Sequence, residues 1–145
     1  MHLKQILLID DSARDIEMAL DALQQHNIAN DVVTLRDGAE ALEYLFRRGE
    51  FAARGSDNPA VILLDLKMPR IDGLEVLRQL KSDPVLKVIP VVMMTSSREE
   101  RDLIKSYELG VNAYVVKPLN FADFIEAINV VGAFWAVLNE LPPKT

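Results

Sequence analysis

The chain has 145 residues, half of them hydrophobic and 26% charged, a globular composition that argues against disorder and suffices for one well-buried core. Its formal net charge of −6 argues against nucleic acid as a direct ligand, since phosphate contacts need clustered Lys and Arg. The absence of Cys rules out a disulfide scaffold, a thiolate metal site and a cysteine nucleophile.

Short apolar runs and helical patterns alternate along the whole chain. A first strand over about residues 4–9 carries Ile6-Leu7-Leu8-Ile9 and runs into Asp10-Asp11. Ser12-Ala13-Arg14-Asp15 then reads like a capping box, with Ser12 as N-cap and an acid three residues on, before a helix with Ile16, Leu20 and Leu23 on one face. Val32-Val33-Thr34-Leu35 reads as the second strand, and the next helix is expected to bury Ala39, Leu42, Leu45 and Phe46. Residues 49–59, with Gly, Ser, Asp, Asn and Pro among them, read as a surface loop. Val61-Ile62-Leu63-Leu64 runs into Asp65, and Met68-Pro69-Arg70-Ile71-Asp72-Gly73 turns into a helix with Leu74, Leu77 and Leu80 inward. Val91-Val92-Met93-Met94 runs into Thr95, followed by Ser97-Arg98-Glu99-Glu100 as the cap of a fourth helix. Ala113-Tyr114-Val115-Val116 runs into Lys117-Pro118, and Asn120-Phe121-Ala122-Asp123 caps a fifth helix. The first strand starts too near the N-terminus for a signal peptide, and no apolar run approaches the ~20 residues of a membrane span, so a cytoplasmic location is expected.

Uninterrupted apolar runs of this kind mark parallel strands covered on both faces, and the βαβα order implies an α/β sheet with right-handed crossovers. In such a sheet the site lies beyond the carboxyl ends of the strands. Asp10, Asp11, Asp65, Thr95 and Lys117 would therefore meet at one edge. Each like-charged carboxylate pair at ~4 Å costs roughly 4 kcal/mol at an effective dielectric near 20, so the cluster implies a protonated acid or a bound cation. Hard carboxylate oxygens without His or Cys favour Mg²⁺. An open Mg²⁺ sphere flanked by an ammonium and a hydroxyl suits phosphoryl chemistry, with a carboxylate attacking in line. One Asp at a strand end would read as a helix cap; four matching strand ends together read as a site.

Leu8-Ile9-Asp10-Asp11-Ser12, Leu63-Leu64-Asp65-Leu66-Lys67-Met68-Pro69-Arg70-Ile71-Asp72-Gly73, Met94-Thr95-Ser96 and Tyr114-Val115-Val116-Lys117-Pro118 resemble the motifs of response-regulator receiver domains (CheY-like), in order and over essentially the whole chain. The resemblance implies a flavodoxin-like, doubly wound, five-stranded parallel sheet of order 2-1-3-4-5 with helices on both faces. It implies one receiver domain over residues 1–145, with its core at about 3–130 and a C-terminal helix reaching about 141. Asp65 would be the phosphoacceptor, served by a sensor histidine kinase or phosphotransfer protein. Asp10, Asp11, Asp65 and the backbone carbonyl of Lys67 would hold Mg²⁺ (or Mn²⁺). Lys117 would pair with Asp65 or its phosphate, and Thr95, followed by Ser96, would hydrogen-bond the phosphoryl group. The Lys117-Pro118 bond would be cis. Movement of Thr95 would let Tyr114 rotate and reshape the face built by the fourth helix, fifth strand and fifth helix.

Two features depart from the common pattern. Lys67 is a long cation two residues past the acceptor, and its ammonium is expected to set the lifetime of the phosphate. The lengthened 49–59 loop and the style of the C-terminus resemble the small stand-alone regulators that partner bacterial phytochromes. In the fifth helix, Phe124, Ile128, Val131, Trp135 and Leu138 form one stripe, while Val130, Phe134, Val137 and Leu141 form a second, about 100° around. The second stripe has no obvious partner in a five-stranded domain and is expected to form a homodimer. Leu141-Pro142-Pro143 would stop the helix with no output module after it, leaving protein contacts, or a role as a phosphate sink, as output.

Three competing readings differ in single features. A haloacid-dehalogenase-type phosphatase would need an acid two residues after its Asp nucleophile, where this chain has Lys67. A nucleotide or flavin binder would need a phosphate-cradling first loop, and Asp10-Asp11-Ser12-Ala13 repels phosphate. A degenerate receiver would lack some of the edge residues, and none is missing. His2 and His26 stand apart from the site and read as surface residues.

Overall fold

The computed structural model describes residues 5–24, 31–55, 58–96, 108–111 and 113–132, and every structural statement here concerns those residues. Strand β1 (Ile6–Ile9) leads to helix α1 (Ala13–Gln24), β2 (Val32–Leu35) to α2 (Gly38–Leu45), and β3 (Val61–Asp65) to α3 (Gly73–Lys81). Strands β4 (Val91–Thr95) and β5 (Ala113–Val116) follow, then α4 (Phe121–Val130). This α4 is the fifth helix expected from the sequence; the cap at Ser97–Glu100 and its helix fall outside the described residues up to 107. Short 3₁₀ turns lie at Gly49–Phe51 and Leu86–Val88.

All strand pairs are parallel, in the order β2-β1-β3-β4-β5. This is the flavodoxin-like order, with β1, β3 and β4 in the middle and wholly buried. Edge strand β2 keeps only Leu35 buried. Alternate strand residues serve two cores. Leu7, Ile9, Ile62, Leu64 and Met93 pack against α2 and α3, while Ile6, Leu8, Leu63, Val92, Met94 and Val115 pack against α1 and α4. Burial on both faces explains why these strands read as continuous apolar runs rather than as alternation.

Helix α2 departs from the expected stripe. Asp37 caps it, accepting from the Glu40 backbone N–H at 2.7 Å. The helix begins at Gly38, pressed so close to the Ile71 backbone that a Cβ there would come within 2.2 Å of the Ile71 carbonyl oxygen. That approach fixes the helix rotation so that Gly38, Ala41, Leu42 and Leu45 face inward, at i, i+3, i+4 and i+7, with Tyr44 also buried. Ala39, expected in the core, points outward, and Phe46 is half-buried beyond the helix end.

The 49–59 segment is also more than a surface loop. Phe51 is half-buried with its ring edge-on to Tyr44, centroids 5.1 Å apart, and Arg54 lies 4.2 Å over the Tyr44 ring. Pro59 and Ala60 are buried. At the other end of the chain, the C-terminal helix expected to reach about residue 141 ends earlier within the described residues. Helix α4 ends at Val130, where the Gly132 N–H donates to the Asn129 carbonyl and Gly132 takes a φ of +79°, a left-handed stop that glycine tolerates. Phe124, Ala127 and Ile128 are buried, Val131 is half-buried, and Trp135 and Leu138 lie outside the described residues.

Candidate functional site

The site forms where β1, β3, β4 and β5 end. Parallel pairing of β1 with β3, Ile9 opposite Leu64, brings Asp10 and Asp65 to the same edge. The Asp10 N–H donates to the Leu35 carbonyl at 3.0 Å, and one Asp10 oxygen accepts the Ser12 N–H at 2.9 Å. Asp10 and Asp65 are 1% and 3% exposed, whereas Asp11 faces solvent, its carbonyl held by Arg36 at 3.0 Å. Gly73 is required behind Asp65: a Cβ there would meet the Asp65 carbonyl oxygen at 2.2 Å. Helix α3 thus starts against the end of β3, with Asp72 capping it at the Glu75 N–H.

Thr95 and Lys117 arrive together. Thr95 closes β4 opposite Val116, and the Lys117 N–H donates to the Thr95 carbonyl at 2.8 Å. Thr95 is buried, Ser96 is exposed, and the Lys117-Pro118 peptide bond is cis. The Lys117 ammonium lies 3.2 Å from Asp65 Oδ1, 3.2 Å from Asp10 Oδ2 and 2.8 Å from Asp15 Oδ2. Tyr114 sits opposite Met93 on β5, half-buried against the α2/α3 core. The Lys67 side chain is exposed. Val130 is 58% exposed, and its expected companions Phe134, Val137 and Leu141 lie outside the described residues.

Asp15 is the site residue that the sequence did not disclose. In a complete capping box its carboxylate would reach back to the Ser12 N–H. Ser12 does cap α1, accepting the Asp15 N–H at 3.2 Å, but the Ser12 N–H is already taken by Asp10. The Asp15 side chain is thereby released to Lys117, 102 residues along the chain. A local capping signal was legible; the long-range pairing had none.

The electrostatics follow from burial. Desolvation, reinforced by the charge of Asp10 and opposed by Lys117, pushes the Asp65 carboxyl up from the usual carboxylate range to about 7. For Lys117 burial disfavours the charge, but the bond to Asp15 and the charges of Asp65 and Asp10 outweigh it and hold the ammonium above its ordinary value. One ammonium among Asp10, Asp11, Asp15 and Asp65 leaves the edge strongly negative. Asp10, Asp11 and Asp65 each offer an oxygen within 4.8 Å of the others. An all-carboxylate donor set, with Asp11 on the solvent side where waters complete the shell, fits a hard divalent cation such as Mg²⁺ or Mn²⁺.

Comparison with known proteins gives a consistent result. The family model described as the response regulator receiver domain matches residues 6–129. Response regulator Rcp1 of Synechocystis sp. is 41% identical over 139 residues, covering 96% of this chain and 93% of that protein. The Mn²⁺-bound crystal structure of Rcp1 superposes with a TM-score of 0.76 at 40% identity, over 97% of this chain and 99% of that one. The bacteriophytochrome response regulator AtBRR is 56% identical with a TM-score of 0.88, over 97% and 100% of the two chains. The phosphorylated cyanobacterial phytochrome response regulator RcpA is 41% identical with a TM-score of 0.77, over 99% and 100%.

Proposed function

The chain belongs to the response regulator receiver family, a family of signalling proteins rather than classical enzymes, and from that premise we propose that Asp65 accepts a phosphoryl group from a sensor histidine kinase. The observation that carries this reading is the Lys117 ammonium shared between buried Asp65 and Asp10 at 3.2 Å each, beside the open carboxylate of Asp11. Residues 1–145 act as one stand-alone receiver domain.

Asp10, Asp11, Asp65 and the Lys67 carbonyl would hold Mg²⁺ or Mn²⁺, and the ion supplies positive charge against the phosphoryl oxygens. Asp65 must be ionised to attack, and burial beside Asp10 works against that; the Lys117 ammonium favours the charged form. One Asp65 oxygen then attacks phosphorus in line. The new O–P bond forms as the P–N bond to the kinase histidine breaks, and the imidazole nitrogen keeps the electron pair. Lys117 and the Thr95 hydroxyl, with Ser96 beside it, receive the phosphoryl oxygens. Thr95 shifting toward them vacates space for Tyr114 and so alters the β5/α4 face.

The likeness to AtBRR and RcpA supports a bacteriophytochrome as the kinase and a bacterial source. Exposed Val130 at the end of α4 supports a homodimer through the C-terminal segment that carries Phe134, Val137 and Leu141. Output then runs through protein contacts in the cytoplasm, without direct nucleic-acid or membrane binding. Among the described residues no helix is long and apolar enough to cross a membrane. Lys67 sets how long the phosphate lasts, which dephosphorylation rates of the wild type and Lys67→Asn test, equal rates counting against it. Incubation with acetyl phosphate and read-out by intact mass tests the function as a whole. The expected result is one phosphoryl adduct that requires Mg²⁺ and is absent from Asp65→Ala; an adduct in both proteins refutes the reading.

A further inference from the structure

The Lys117 ammonium donates hydrogen bonds to Asp10 and Asp15 and is paired with Asp65 at 3.2 Å, three carboxylates around three N–H protons. A phosphoryl group on Asp65 turns its carboxylate into an uncharged acyl oxygen, so the Lys117 contact there passes to the phosphoryl oxygens, and any second bond to them must be taken from Asp10 or Asp15. These two partners differ in how easily they can be left. The Asp10 side chain is 1% exposed, and stripping it of its cation strands a buried charge. The Asp15 side chain is 30% exposed and sits in the first turn of α1, where water and the positive end of the helix dipole stabilise its charge without Lys117.

On the reading that Asp65 is the acceptor, we propose that Asp15 is a positioning residue that competes with the acceptor for the Lys117 ammonium. It draws the ammonium toward α1 in the resting protein, at 2.8 Å against 3.2 Å to Asp65, and gives it up when the acceptor is modified. Asp15 thus weakens the modified state and keeps the regulator easier to reset. Replacing it with a neutral isostere hands the ammonium to the phosphoryl oxygens.

The test is the affinity for beryllofluoride, a phosphoryl mimic, at saturating Mg²⁺, read by fluorine NMR on the full chain, with thermal melts as a check of folding. Asp15→Asn is expected to bind about fivefold more tightly than wild type, the scale of one partly exposed charge pair. Asp15→Glu is expected to restore the wild-type value. The gain should persist at ~1 M salt, where the Debye length is about 3 Å and a long-range charge effect would be screened away. Equal or weaker binding by Asp15→Asn overturns the proposal, as does a gain that vanishes at high salt. If wild type itself fails to bind the mimic, the acceptor reading fails and this inference with it; if wild type binds and Asp65→Asn does not, only the Asp15 result is at issue.

Discussion

Lys117 and Arg54 are both half-buried cations, and among the described residues their surroundings differ. Lys117 takes carboxylates from just past β1, from α1 and from β3, up to 107 residues away in sequence, and its ammonium is held above its ordinary value. Among its interactions with the described residues, Arg54 takes the Tyr44 carbonyl at 2.7 Å, the Gly55 carbonyl at 3.3 Å and the face of the Tyr44 ring, and burial lowers its pKa. Anionic partners can exchange their cation when a new anion arrives. Carbonyls and an aromatic face cannot change charge and simply fix the loop. The first arrangement makes a site, the second a brace.

The sharpest way to break this contrast is to remove each cation in turn. Lys117→Met is expected to slow phosphorylation by acetyl phosphate on the order of 10²–10³-fold, the usual cost of losing one charge-stabilising donor. Arg54→Met should leave that rate within about twofold, and an equal loss in both variants would erase the distinction.

A second test uses pH in Mg²⁺-free buffer. The Asp65 carboxyl titrates near 7 in the folded chain and near 3.8 when unfolded. Between those values the folded form holds a proton that the unfolded form has released, so stability falls as pH rises through that window, and the full cost is present above about pH 7. Asp65→Asn, which cannot ionise, should therefore gain about 2 kcal/mol more over wild type at pH 8 than at pH 5 in urea unfolding. A gain independent of pH would place the cost elsewhere than the Asp65 charge.

The smallest effect belongs to the brace. Arg54→Met should cost about 1–2 kcal/mol of stability, from its carbonyl bonds and its stacking on Tyr44, with little change between pH 6 and 8. A strongly pH-dependent loss would mean that Arg54 answers to a titrating partner, as Lys117 does.

The same contrast explains what could be read from the sequence. Strands β1, β3 and β4 were legible because parallel strands buried on both faces leave continuous apolar runs, and the edge residues were legible because the runs of β1, β3, β4 and β5 each end in one of them. Val32–Leu35 was identified to the residue although it lies at the sheet edge. Asp15 was missed because its backbone carries a local capping signal while its side chain answers to a distant lysine. Ala39 was misplaced because contact between Gly38 and Ile71, a tertiary matter, sets the rotation of α2. The packing of Phe51 and Arg54 on Tyr44 was hidden behind the turn-forming residues around them. The helix end at Val130 was hidden by apolar periodicity continuing past Gly132.

The central claim, that the edge exists to put a phosphoryl group on Asp65, is tested most directly by locating the modification. After phosphorylation with acetyl phosphate and Mg²⁺, borohydride reduction converts an aspartyl phosphate to homoserine, which peptide mass spectrometry places in the sequence. The predicted result is homoserine at position 65 alone. Homoserine at 10, 11 or 15, or phosphate retained on a serine, threonine or histidine, would contradict it.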